Sequence, residues 1–114
     1  MEALEVARRA VEIASDQQAN DIVLLDGQGV LSFTDYLVIC SGDSSRQVAA
    51  IYDEIKRLLK QEDVSVHHNE GTVDSGWLLL DLGDVMVHIF SQAEREYYQL
   101  DELWSKATTV LRIQ

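Results

Sequence analysis

Proline is absent from the 114 residues, and cysteine occurs once, at Cys40. No proline-rich linker or low-complexity segment divides the chain. A lone cysteine excludes an internal disulfide and fits a reducing compartment. Cys40 lies in an apolar run, where a thiol is expected to be buried and inert. Positive charge is also scarce: nine Lys and Arg stand against twenty Asp and Glu, a net charge of -11. Affinity for nucleic-acid phosphates comes from Lys and Arg, so little direct binding to DNA or RNA is expected. A basic protein surface suits such a chain better. No apolar run reaches the ~18 residues of a membrane span. The start, Met1-Glu2-Ala3-Leu4-Glu5, lacks the basic, then apolar, pattern of a secretion signal. The expected location is cytoplasmic, with no membrane partner.

What is present is strong periodicity. Leu4, Ala7, Val11 and Ala14 recur at helical spacing, widened by Val6, Ala10 and Ile13, which predicts an amphipathic helix from about Ala3 to Gln18. Ile22 to Leu25 reads as a strand ending at Asp26-Gly27, and Asp35 to Cys40 as a buried strand. Ser44 with Gln47 forms a capping-box pattern before a second helix striped by Val48, Ile51, Ile55 and Leu58, to about Gln61. Val64 to His67 reads as a weak strand. Ser91 with Glu94 repeats the capping pattern and opens a last helical segment through Tyr98, with Leu100, Leu103 and Trp104 docking back on the core. The order is helix, strand, strand, helix, strand, strand, strand, helix. It predicts one α/β domain over residues 1–114, with a mixed sheet of about five strands. Helices packed mainly on one face would leave the other open.

The richest segment runs from Glu70 to Trp104. Gly83-Asp84 is a two-residue turn signal between two apolar runs. A hairpin there sets Leu82 opposite Val85, Leu80 opposite Val87 and Leu78 opposite Ile89, an aliphatic face that helices should cover. The other face carries Trp77, Leu79, Asp81, Met86, His88 and Phe90, and its mixture of rings and polar groups reads as a recognition surface. Most tryptophans are core, but the register of Trp77 puts it beside Asp81 and His88. His88 reads equally as a satisfied sheet histidine. Arg95 and Tyr98 follow the hairpin and can pack on its end.

Catalytic chemistry is thin. Gly42-Asp43-Ser44-Ser45 opens a helix but has neither the lysine nor the repeated glycine of a phosphate loop. His67, His68, His88, Cys40 and Glu70 lack the close pairing of a zinc site. Asp81 and Asp84 flank the tight turn and could hold magnesium, although Asp84 is more simply a turn residue.

Two stretches carry a resemblance. Asp35-Tyr36-Leu37-Val38-Ile39-Cys40-Ser41-Gly42-Asp43-Ser44-Ser45-Arg46-Gln47-Val48 resembles the first signature of the ribosomal silencing factor, or Iojap, family. Glu70-Gly71, Trp77, Asp81-Leu82-Gly83-Asp84-Val85, Val87-His88-Ile89-Phe90, Arg95, Tyr97-Tyr98 and Leu103-Trp104 resemble the second. The likeness runs from the first helix to Trp104. It implies a nucleotidyltransferase-like topology without that activity, and hence no catalytic residue and no cofactor. It also implies binding to the large ribosomal subunit at its fourteenth protein. That would block joining of the small subunit and lower translation under starvation. The expected contacts are Trp77, Leu79, Asp81 and His88, with Glu70 and Asp74 as acidic rim partners and Tyr98 beside them. Two rival readings stand: a degenerate nucleotidyltransferase using Asp81, Asp84 and magnesium, and a homodimeric scaffold that self-associates through the Trp77 face. Two departures from the family pattern are visible. Lys60 to Asn69 lacks the glycine and proline usual before Glu70-Gly71, and after Ser41-Gly42 the only paired carboxylates are Asp53-Glu54, on a helix.

Overall fold

The computed structural model describes residues 1–103 and 106–114, without the side chains of Asp101 and Leu103. Its elements are α1 (Ala3–Asp16), β1 (Asn20–Asp26), β2 (Tyr36–Gly42), α2 (Ser45–Gln61), β3 (His68–Thr72), β4 (Trp77–Asp81), β5 (Val85–Ser91), α3 (Gln92–Tyr98), α4 (Leu100–Leu103) and β6 (Thr108–Ile113). The strands form one sheet in the order β3-β4-β5-β2-β1-β6. Only β2 and β5 run parallel, because α2 carries the chain over the sheet between them; the other neighbours are antiparallel.

Both long helices bury their predicted stripes. α1 turns Val6, Ala7, Ala10, Val11, Ile13 and Ala14 inward, and α2 turns Val48, Ile51, Ile55 and Leu59 inward. Leu58, expected in that stripe, is only partly buried; the 3.6-residue repeat carries Leu59 to the core instead. These side chains meet Leu78, Leu80, Leu82, Val85, Val87 and Ile89, the aliphatic face of the hairpin. The Ser44 hydroxyl caps α2 by accepting from the Gln47 N–H at 3.1 Å. Gln47 does more than a capping box requires. Its side-chain oxygen accepts from the Asp43 N–H at 2.6 Å, and its nitrogen donates to the Gln18 carbonyl at 2.8 Å. One side chain thus joins the start of α2 to the end of α1. Ser44→Ala should lower stability by about 1 kcal/mol in urea unfolding.

Three expectations need correction. Among the described residues there are six strands, not about five. β6 pairs with β1, setting Leu111 beside Leu24 and Ile113 beside Ile22. The strand expected at Val64–His67 lies at His68–Thr72: Val64 and Val66 pack against the core, and the hydrogen-bonded ladder begins beyond them. The sheet's second face is not left open throughout. A second apolar cluster there joins Val23, Leu25, Leu37, Ile39 and Phe90 to Leu100 and Ala107 from the C-terminal segment. Leu100 docks as expected; the docking expected of Leu103 and Trp104 lies outside the described residues.

Candidate functional site

Cross-strand partners share a face, so the register maps the second face row by row. One row reads Thr72, Trp77, Phe90, Ser41; the next Glu70, Leu79, His88, Ile39; the third His68, Asp81, Met86, Leu37. Along each row the character changes at β4. Towards β5 and β2 lie buried rings and aliphatic groups under the C-terminal segment. Towards β3 lie polar groups that are exposed among the described residues. The face is half covered and half open, and Trp77 stands on the boundary.

The hairpin turn places that boundary. Gly83 has φ 94°, a backbone conformation that glycine adopts without steric cost. The Leu82 N–H donates to the Val85 carbonyl at 2.8 Å. Asp81 Oδ1 accepts from the Gly83 N–H at 2.9 Å, so this carboxylate braces the turn. The Asp84 carbonyl accepts from the Asp35 and Tyr36 amides at 2.9 and 3.0 Å, tying the turn to β2. Of the pair weighed for magnesium, Asp81 thus braces the turn with its carboxylate, and Asp84 ties the turn to β2 through its backbone. Among the described residues, no group of three or more His, Cys, Asp or Glu could hold a metal.

Trp77 is fixed from three sides. Its ring centroid lies 4.5 Å from Tyr98, 5.0 Å from Phe90 and 5.7 Å from His88. Its indole N–H donates to His88 Nδ1 at 3.0 Å. An imidazole accepting at Nδ1 is neutral, with its proton on Nε2. Burial enforces the same state by lowering the His88 pKa from 6.5 to about 4. His88 is only 5% exposed, so it offers a partner no surface of its own and instead orients Trp77. Any part His88 plays in the expected contact would run through the indole it holds.

A pH dependence follows. The unfolded histidine binds its proton near pH 6.5 and the folded one near 4, so stability rises with pH across that window. The contribution is complete above about pH 6.5 and lost as pH falls towards 4, a difference of about 3 kcal/mol. In urea unfolding at pH 7 and pH 4.5, His88→Gln should lose about 2 kcal/mol of the wild-type difference between the two conditions.

Beside Trp77 a shallow groove of about 210 Å³ is lined by Glu70, Gly71, Ser75, Trp77, Leu79 and Tyr98. Four expected site residues, Glu70, Trp77, Leu79 and Tyr98, thus come together. Asp81 lies further along the same face, and Asp74 sits exposed in the β3–β4 turn, outside the groove lining. Gly71 and Ser75 were not foreseen. A Cβ on Gly71 would lie 2.0 Å from the Trp77 carbonyl oxygen, so only glycine lets β3 approach β4 there. Ser75 Oγ lies 2.7 Å from the Thr72 carbonyl and 3.1 Å from the Trp77 carbonyl, closing the turn. Glycines flanking a short polar stretch, Gly71 and Gly76, were the available signal.

Glu70 Oε1 meets His68 Nε2 at 2.8 Å on the surface. From Gln61 to Glu94 there is no Lys or Arg, whereas Glu62, Asp63, Glu70, Asp74, Asp81, Asp84 and Glu94 are acidic. Arg95, which follows, is 6% exposed and turns to Asp21, 3.4 Å away; Asp21 also meets Arg112 of β6 at 3.1 Å. Arg95 thus fastens α3 to β1 rather than serving the groove. Cys40 is fully buried, and burial pushes its thiol up to about 12, as an inert core residue.

Known proteins share this sequence pattern and this fold. The family model "Ribosomal silencing factor during starvation" matches residues 1–114. A ribosomal silencing factor from Bacillus subtilis is 41% identical, covering 90% of this chain and 86% of that relative. One from Halalkalibacterium halodurans is 39% identical, covering 93% and 91%. A crystal structure of a Chromobacterium violaceum protein superposes with a TM-score of 0.88 at 35% identity, covering 92% of this chain and 88% of that one.

Proposed function

The chain belongs to the ribosomal silencing factor family, and we propose that it represses translation by docking on the large ribosomal subunit and sterically preventing the small subunit from joining. The docking partner in this reading is the fourteenth protein of the large subunit. The open half of the sheet is the docking surface, with Trp77, Leu79, Glu70 and Tyr98 at its centre and Asp81 and Asp74 around them. The observation that carries it is Trp77: a half-buried indole, locked by His88 and walled by Tyr98, beside an acidic groove left open by the described residues. Rigid aromatic anchors of this kind dominate interface energetics. Acidic charge speeds docking onto a basic protein and keeps the chain off bare rRNA. Occlusion asks for no reacting group, in keeping with a turn whose carboxylate is used for bracing. A cytoplasmic location goes with this role.

Sedimentation of purified protein with separated subunits tests the reading. The protein should pellet with large subunits and not with small ones. Equal pelleting with both, or with neither, would overturn it.

A further inference from the structure

We infer that the groove beside Trp77 receives the guanidinium group of a partner arginine; this rests on the open half-face being the docking surface. The Trp77 and Tyr98 rings, packed on each other with centroids 4.5 Å apart, line the groove together with Glu70, whose strand neighbour is Leu79. A ring face attracts a cation, and a carboxylate beside it supplies the counter-charge. The chain does not supply that cation from nearby sequence: the only basic side chains between Lys60 and Arg95 are histidines, and Arg95 is committed to Asp21.

Other occupants fit less well. An apolar side chain would cover the Glu70 carboxylate without pairing it, at a desolvation cost. A phosphate would meet Glu70, Asp81 and Asp74 on or beside the same half-face, with no Lys or Arg from β3 or β4 to hold it. Lysine supplies charge but no plane. Arginine's flat guanidinium stacks on an indole while its edge donates to a carboxylate. The surface pair of Glu70 with His68 is no obstacle, because both side chains are more than half exposed, at 65% and 58%. The close approach permitted by Gly71 keeps β3, and with it Glu70, against the Trp77 strand.

Three small probes test this on the intact protein: N-acetyl-arginine amide, its lysine counterpart and its uncharged citrulline isostere, at matched ionic strength. The readout is the indole N–H resonance of Trp77, assigned by its disappearance in Trp77→Phe. Arginine should move that resonance saturably, with a half-effect concentration about threefold below that of lysine, and citrulline should leave it in place. Glu70→Gln, at an exposed position where folding is not at stake, should raise the arginine half-effect concentration about threefold. Equal shifts from arginine and citrulline, or no shift from any probe, would overturn the inference. Wild-type protein that fails to pellet with large subunits would overturn the docking reading instead, so the two failures are separable.

Discussion

Trp77→Ala should weaken binding to the large subunit by about 2 kcal/mol or more, roughly thirtyfold, in a protein that stays folded. The effect is large because the substitution removes more than contact area. It takes away the ring that Tyr98, Phe90 and His88 hold in place, and it leaves His88 Nδ1 without the indole donor. The fold should survive because Trp77 lies at the border of the second cluster, not inside it. A half-buried truncation of this kind costs a few kcal/mol at most, less than the stability of an ordinary domain. Sedimentation with large subunits reads the binding, and thermal unfolding of the same sample reads the fold. A folded variant that pellets like wild type would remove Trp77 from the docking surface.

Gly71→Ala should detach β3. The residue has φ 90°, and an added Cβ meets the Trp77 carbonyl, a backbone atom that cannot swing away. Left-handed strain plus the clash amounts to about 3 kcal/mol or more. β3 has little to set against that, because all five of its residues are exposed and it lies at the sheet edge. The cheaper response is local: the edge strand leaves and the core remains. Hydrogen exchange should therefore accelerate at His68–Thr72 and at the β4 amides they cover, while α1 and α2 keep their protection. Binding to large subunits should fall about tenfold or more, because Glu70 leaves the groove with its strand. Unchanged exchange across β3 would refute the close-approach role of Gly71.

The sequence disclosed what depends on burial period and turn chemistry. The Gly83-Asp84 turn set the hairpin register: Leu78 pairs with Ile89 and Leu80 with Val87 as predicted, and the Leu82 N–H donates to the Val85 carbonyl across the turn. The caps at Ser44 and Ser91 are made. What stayed hidden depends on pairing without burial. β3 is exposed throughout, so its position follows from the Thr72–Gly76 turn and Gly71, not from an apolar stripe; Val64 and Val66 gave the stripe and misplaced the strand. β6 was missed for the same reason: its residues are exposed or partly exposed, although the β-branched run Thr108-Thr109-Val110 hinted at a strand. The half-covered face was legible only in part: Leu100 was expected to dock back on the core, but not on this face. It arises because Leu100 and Ala107 return from the C-terminal segment to Phe90 and Ile39. His88, correctly placed on the face with Trp77, lies buried beside the Trp77 and Phe90 rings instead of at the surface.

Joining of purified subunits, followed by light scattering or on a sucrose gradient, measures occlusion directly. With the wild-type protein added first, the subunits should stay apart in proportion to the fraction of large subunits occupied, and Trp77→Ala at the same concentration should let them join. Subunits that join at the normal rate while wild-type protein remains bound to the large one would contradict the account.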